Sequence, residues 1–226
     1  MTYLKLIETL REVAEEDFAN FQRKLIFTKY EILGVRTPML RAIAKKYQSE
    51  WEEVLSFPNA YYEVVFLKLT MIAKLPFEQF VKHLPSCISL MDNWAFCDQM
   101  KAPAIKKNRE SFLPILEEIF QSGGEYGERY VLVTLLSYYV EDDYLPMLRT
   151  YMYRANTNLY YIHMAVAWLL AEILIKHYDF GLQTLQAKEL DAKTHNKAIQ
   201  KGIESYRITQ LQKEQLRSLK IKEKSK

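Results

Sequence analysis

The chain has 226 residues, 49% of them hydrophobic and 26% charged, with a formal net charge of +3. That length buries a sizeable core, the balance is that of a globular chain, and the charge alone is too slight to define a polyanion binder. Two cysteines, Cys87 and Cys97, lie outside any C-x-x-C pair, and the four histidines form neither H-x-x-x-H nor H-E-x-x-H, so no disulfide framework, metal or cofactor is expected. The opening "MTYLKLIETLREV" lacks the basic-then-apolar layout of a signal peptide. No apolar run approaches the roughly 18 residues of a membrane span, so a cytoplasmic chain with no membrane contact is expected.

Glycine (6) and proline (7) are scarce and fall between segments of helical periodicity, and strand alternation is nearly absent, which predicts an all-α fold. The first helices are expected over Thr2 to Glu16 and Ala19 to Phe27. The turn "EILGVRTP" follows, in which Gly34 can take a positive φ and Thr37 with Pro38 make an N-cap and N1 pair for "RTPMLRAIAKKYQ". Next come "EWEEVLSF", "NAYYEVVFLKLTMIAKL", "PFEQFVKHLPSCISL", "NWAFCDQMKAPAIKK", "ESFLPILEEIF" and "YGERYVLVTLLSYYV". The run closes with "DDYLPMLRTYMY", "NLYYIHMAVAWLLAEILIKHY", "FGLQTLQ" and "THNKAIQKGIESYR". Short loops make sequential helices antiparallel neighbours. An apolar helix followed by a more amphipathic one, every 35 to 40 residues or so, points to an α-solenoid of stacked HEAT-like pairs, a curved superhelix with a concave face. The expected organisation is one HEAT-like-repeat domain over residues 1–213 and a lysine-rich tail over 214–226, either solvated and fraying or in contact with nucleic acid.

Three of these helices carry an unusual residue among apolar ones. In "DNWAFCDQM", Asp92 or Asn93 can cap a helix on which Trp94 and Asp98 share one face. In "GERYVLVTLLSYY", Arg129 leads an apolar run at a helix start, where the macrodipole disfavours a cation. In "YYIHMAVAWLLAEILIKHY", Trp168 lies midway along a very apolar helix, with Tyr160, Tyr161 and Met164 one or two turns before it. Each alone has an ordinary explanation: a solvated acid beside a packed indole, a surface arginine in a salt bridge, a core tryptophan. Their order along a helical-repeat chain is less ordinary.

"LGVRTP" at Leu33 to Pro38, "WAFCD" at Trp94 to Asp98, Arg129 in "ERYVLVTLL" and "AVAWLL" at Ala165 to Leu170 form an ordered set. In that set the chain resembles, over nearly its whole length, the AlkD-like DNA alkylation repair proteins, which are HEAT-like-repeat DNA glycosylases. The resemblance implies hydrolysis of the N-glycosidic bond of cationic alkylated purines, such as 3-methyladenine and 7-methylguanine, in duplex DNA without a metal or cofactor. It implies Asp98, Trp94 and Trp168 as the catalytic residues and Arg129, Arg36 and Thr37 as the DNA contacts, on a monomer. That family is known for holding the lesion without enclosing it. The chain departs from the family pattern in "DFANFQRKLIFTKYEILGVRTP", where Leu25 stands at a tyrosine position, and after Trp168, where Ala171 stands at a commonly basic one.

Two readings of other classes stand beside this one. The first is a non-catalytic helical-repeat binder of branched or damaged DNA that keeps the cleft residues. The second is a protein-interaction solenoid, for which the tyrosine-rich "LSYYVEDDYL" and "TYMYRANTNLYY" are the motive. Those tyrosines are equally explained by packing between helices with the hydroxyl reaching solvent.

Overall fold

Among residues 1–222, which the computed structural model describes, regular structure consists of fourteen α-helices and three short 3-10 turns; Glu31 and Tyr61 form an isolated β-bridge. The fold class is the expected one, all-α with helix packing of the α-solenoid type. The chain divides into two compact units, Met1–Phe112 and Leu113–Lys226.

The first unit holds α1 (Tyr3–Glu12), α2 (Glu16–Leu25), α3 (Thr37–Lys46), α4 (Trp51–Ser56), α5 (Tyr62–Ile72), α6 (Phe77–Leu90) and α7 (Trp94–Gln99). Its centre is α5, every residue of which is buried, with α3, α4, α6 and α7 packed on it. A helix surrounded on all sides cannot show an amphipathic stripe, and "YEVVFLKLTMI" shows none. Helix α8 (Arg109–Ser122) runs across the division between the units.

The second unit contains α9 (Gly124–Tyr138), α10 (Leu145–Arg154), α11 (Tyr160–Lys176), α12 (Tyr178–Gln186), α13 (Ala192–Glu204) and α14 (Gln210–Ser218). Here α11 is central, packed against α9, α12 and α13, and α14 lies on α13. Asn196 and Ile221 exchange two hydrogen bonds of 2.8 and 3.0 Å, which binds the chain after α14 to α13. The end of the basic tail, residues 223–226, lies outside the described residues.

Several boundaries differ from those expected, each for a local reason. The segment "NWAFCDQMKAPAIKK" is two elements, because the backbone leaves the helix at Met100 and Pro103 keeps Ala102 extended, so only a 3-10 turn follows over Pro103–Lys107. Prolines were expected between helices, yet Pro85 and Pro114 sit inside α6 and α8. In α6 the buried Phe80, Leu84 and Cys87 maintain the periodicity across the missing N–H. Helix α14 was not foreseen, although Thr209 and Gln212 form a capping box there, a signal readable as T-x-x-Q.

Candidate active site

Helix α7 has only six residues, and its flanks hold it in place. Asn93 caps it, its side-chain oxygen accepting from the backbone N–H groups of Ala95 (3.0 Å) and Phe96 (3.2 Å), while its amide donates to Asp92 at 2.8 Å. Asp92 in turn accepts from the Thr28 hydroxyl (2.9 Å) and the Lys29 N–H (2.8 Å). Of the two caps allowed by the sequence, Asn93 is therefore the one used. Asn93, Phe96, Cys97 and Met100 are all buried, a face with helical spacing, and Phe96 stacks on Tyr62 of α5 at 4.6 Å. The remaining face carries Trp94, Ala95, Asp98 and Gln99.

That face lines a recess of about 310 Å³, within the range of small-molecule sites. Phe18, Phe21, Gln22 and Leu25 of α2 line it from one side, and Tyr62 and Phe66 of α5 lie behind them. Thr37 and Arg41 of α3 also line it. The indole N–H of Trp94 donates to the Leu25 carbonyl at 3.3 Å, satisfying one of the last carbonyls of α2 and joining the two helices at the rim. Phe21 and Leu25 are 55% and 49% exposed, and Phe18 stacks on Phe21 at 6.2 Å, so α2 shows the recess an apolar wall. Two amide atoms at the site have no partner and no access to water, Oε1 of Gln22 and Nε2 of Gln99. Each unmade bond costs on the order of 1–3 kcal/mol.

The "LGVRTP" turn positions α3 next to this recess. Gly34 has φ +94°, and a Cβ there would lie 2.7 Å from the Cβ of Ala19 and 2.8 Å from its nitrogen, so only glycine lets the turn approach α2. The buried Glu63 carboxylate of α5 accepts from the backbone N–H groups of Leu33 (3.1 Å), Gly34 (2.8 Å) and Val35 (3.3 Å). Burial raises its pKa against the pull of those donors. The cap of α3 differs by one residue from the expected one: Thr37 is the first helical residue, and Arg36 occupies the N-cap without a side-chain bond. Arg36 instead makes a bidentate pair with Glu15, at 2.7 and 2.8 Å, and lies over the Phe18 ring at 4.8 Å. The Arg36 guanidinium holds the Glu15 carboxyl below its ordinary value.

In the second unit, Arg129 is in the second turn of α9 rather than at its start, because the helix begins at Gly124. It is 6% exposed, and its Nη1 donates to the Tyr161 carbonyl on α11 at 2.7 Å, with the guanidinium 6.0 Å from the Tyr161 ring. Trp168 is half-buried, on the face of α11 that also leaves Tyr161, Met164 and Glu172 partly exposed. Ala171 is 3% exposed, so the position where the family pattern is often basic is part of the core here.

The structure thus places Trp94, Asp98 and Thr37 around one recess, with Arg36 beside Thr37, whereas Trp168 and Arg129 belong to the second unit. Sequence reasoning missed Phe18, Phe21, Gln22, Arg41 and Gln99 as recess residues. The apolar spacing of Phe18, Phe21 and Leu25 was a legible signal, but it reads as a core-facing stripe; the two glutamines gave none.

A carboxylate and an indole thus face an aromatic recess in an all-α fold with helix packing of the solenoid type. The sequence matches the DNA alkylation repair enzyme family over residues 6–205, and the chain belongs to that family. No curated protein matches it.

Proposed function

We propose that this protein is a monofunctional N-glycosylase that releases cationic alkylated purines, 3-methyladenine and 7-methylguanine, from duplex DNA. The observation that carries this is the pairing of Asp98 with Trp94 on the one face of α7 that lines the recess. Membership of the DNA alkylation repair enzyme family supports it. A base that is already cationic leaves with the electrons of its glycosidic bond and becomes neutral, while positive charge grows on the sugar. A fixed carboxylate stabilises that charge, and it can orient the water whose oxygen bonds to C1′ and accept the proton that water loses. An indole face attracts a cationic nucleotide at about 0.5–2 kcal/mol, the part assigned to Trp94 at this recess.

Arg36 and Thr37 are the proposed phosphate contacts on the first unit. Arg36 is exposed and would exchange Glu15 for a phosphate, a trade that costs little for a solvent-exposed ion pair. For Arg129, expected as a DNA contact, the donation to the Tyr161 carbonyl supports a bracing part at the start of α11, with an indirect effect on DNA proposed.

The test is release of free 7-methylguanine and 3-methyladenine from methylated duplex DNA, resolved by chromatography, with wild type beside Asp98→Asn. Release that falls by about 10²–10³-fold in the variant, at unchanged DNA affinity, is the expected result. Absence of release from a wild type that still binds DNA would leave a non-catalytic DNA binder as the function.

A further inference from the structure

Helix α3 carries a line of polar side chains that its packing does not use. Its core face is Leu40, Ile43 and Ala44, all buried. Thr37, Arg41 and Lys45 follow one another at i, i+4 and i+8, so they lie above one another along one flank of the helix. Thr37 is half-buried, Arg41 and Lys45 are exposed, and the first two line the recess beside α7. Lys46 falls about 100° round the helix from Lys45. It lies over the Tyr47 ring at 5.0 Å.

The neighbouring arginines are occupied, Arg23 by Glu16 at 2.9 Å and Arg36 by Glu15 at 2.7 Å. Helix α3, "TPMLRAIAKK", holds no acid. Among the described residues Arg41 and Lys45 enter neither an ion pair nor a side-chain hydrogen bond. In a site that gathers positive charge around Asp98, an uncovered guanidinium works against the ligand, and an anion seated on it removes the conflict. Successive members of the line rise about 6 Å along the helix axis, close to the step from one phosphate to the next along a nucleic-acid strand.

We propose that Thr37, Arg41 and Lys45 form a rail for one strand of DNA. Thr37 and Arg41 hold the phosphate at the recess through a hydroxyl and a guanidinium, and Lys45 holds the next phosphate outward along α3. Contacts of this kind carry no sequence information; they fix which nucleotide the strand presents to Trp94 and Asp98. The rail adds Arg41 and Lys45 to the phosphate contacts named above and gives the strand a direction along α3. It rests on DNA as the ligand in the function proposed above and not on base release.

The test is fluorescence anisotropy of a labelled, unmodified duplex with the full chain over a salt series, for wild type, Arg41→Gln, Lys45→Gln and Lys46→Gln. Arg41→Gln and Lys45→Gln are each expected to weaken binding about tenfold near 50 mM salt and to flatten the slope of log affinity against log salt by about 0.9. Lys46→Gln removes the same charge from the other flank and should change affinity by less than about twofold, with the slope kept. The three side chains are exposed, so melting temperatures should stay level. Equal losses in all three variants would reduce the effect to net charge and overturn the rail. Affinity and slope unchanged in either Arg41→Gln or Lys45→Gln would overturn it as well, as would folded wild type that does not bind the duplex.

Base release from methylated duplex, assayed on the wild type, separates the rail from the chemistry. Release together with salt slopes indifferent to Arg41 and Lys45 keeps the glycosylase and removes the rail. Slopes that flatten as expected, without release, keep the rail and remove the chemistry.

Discussion

Each unit is built around a helix buried nearly throughout, α5 in the first and α11 in the second, but the polar groups inside them serve different ends. On α5, Glu63 holds the turn at Leu33 to Val35, Lys68 holds the Phe57 carbonyl and Asn59, and Thr70 reaches Gln99 at the recess. In the second unit the buried polar groups join helix to helix. Arg129 of α9 donates to α11, and His163 of α11 meets Thr194 of α13 at 2.9 Å, beside the cap made by Asp191. The first unit therefore uses buried charge to fix loops and short helices around an open recess; the second uses it to lock helices together, although buried polar atoms without partners occur in both, Gln22 Oε1 and Gln99 Nε2 in the first and the Tyr153 hydroxyl and His195 Nδ1 in the second. Groups that act on a substrate are expected where side chains line an open recess, and groups that only position others where they bridge buried helices.

The contrast can be broken most directly by setting Asp98 against Arg129. Asp98→Asn should lower base release by about 10²–10³-fold with stability changed by no more than about 0.5 kcal/mol. Arg129→Ala should show the opposite pattern, a loss of about 2–4 kcal/mol from an uncovered Tyr161 carbonyl and the space left by the arginine stem, with Arg129→Lys recovering part of it. Chemical denaturation and a salt series of DNA binding check this together. An Arg129→Ala protein of full stability, with weaker DNA binding and a flatter salt dependence, would make Arg129 a phosphate contact and put a substrate-facing group in the second unit.

Asn93→Ala sharpens the comparison on a smaller scale. Loss of a doubly engaged N-cap should cost about 1–2 kcal/mol. Because α7 has so few residues, the change should also raise KM for methylated DNA, since Trp94 and Asp98 lose the frame that aims them. A stability loss with kinetics unchanged would mean that Phe96, stacked on Tyr62, sets the position of α7 unaided.

Legibility followed the same division. The all-α class, most of the helices and the Gly34 turn were readable because apolar period and turn chemistry are local. So was the shared face of Trp94 and Asp98, which depends only on helical spacing. The recess was not, because it depends on which of two equally apolar faces remains uncovered: Phe18, Phe21 and Leu25 have the spacing of a core stripe and lie at the surface. Gln22 and Gln99 were invisible because an unmade hydrogen bond is a property of neighbours distant in sequence. Arg129 was misjudged as a helix-start residue because the helix was read from Tyr126, where the apolar run approaches, whereas α9 begins at Gly124 and carries Arg129 into the interior.

Lys68 gives the smallest effect and a clean sign. It is buried on α5, donating to the Phe57 carbonyl and, at 2.7 Å, to Asn59, and burial lowers its pKa from 10.5 to about 8. The folded chain therefore holds this proton less tightly than the unfolded chain does. Between about pH 8 and 10.5 the unfolded state binds more protons, so the Lys68 contribution makes stability rise with pH through that window and fall as pH drops toward 8. The neighbouring Cys87 thiol is pushed up to about 12 by burial, so above about pH 9, where the unfolded thiol ionises and the folded one does not, it opposes the Lys68 slope; below that its effect is small. Between pH 7 and 8.5 the gain should be on the order of 1 kcal/mol or less, seen as the difference in pH slope between wild type and Lys68→Met in urea melts. Parallel slopes would show that the Phe57 and Asn59 oxygens keep Lys68 charged at no net cost, and that the first unit satisfies its buried charges as fully as the second.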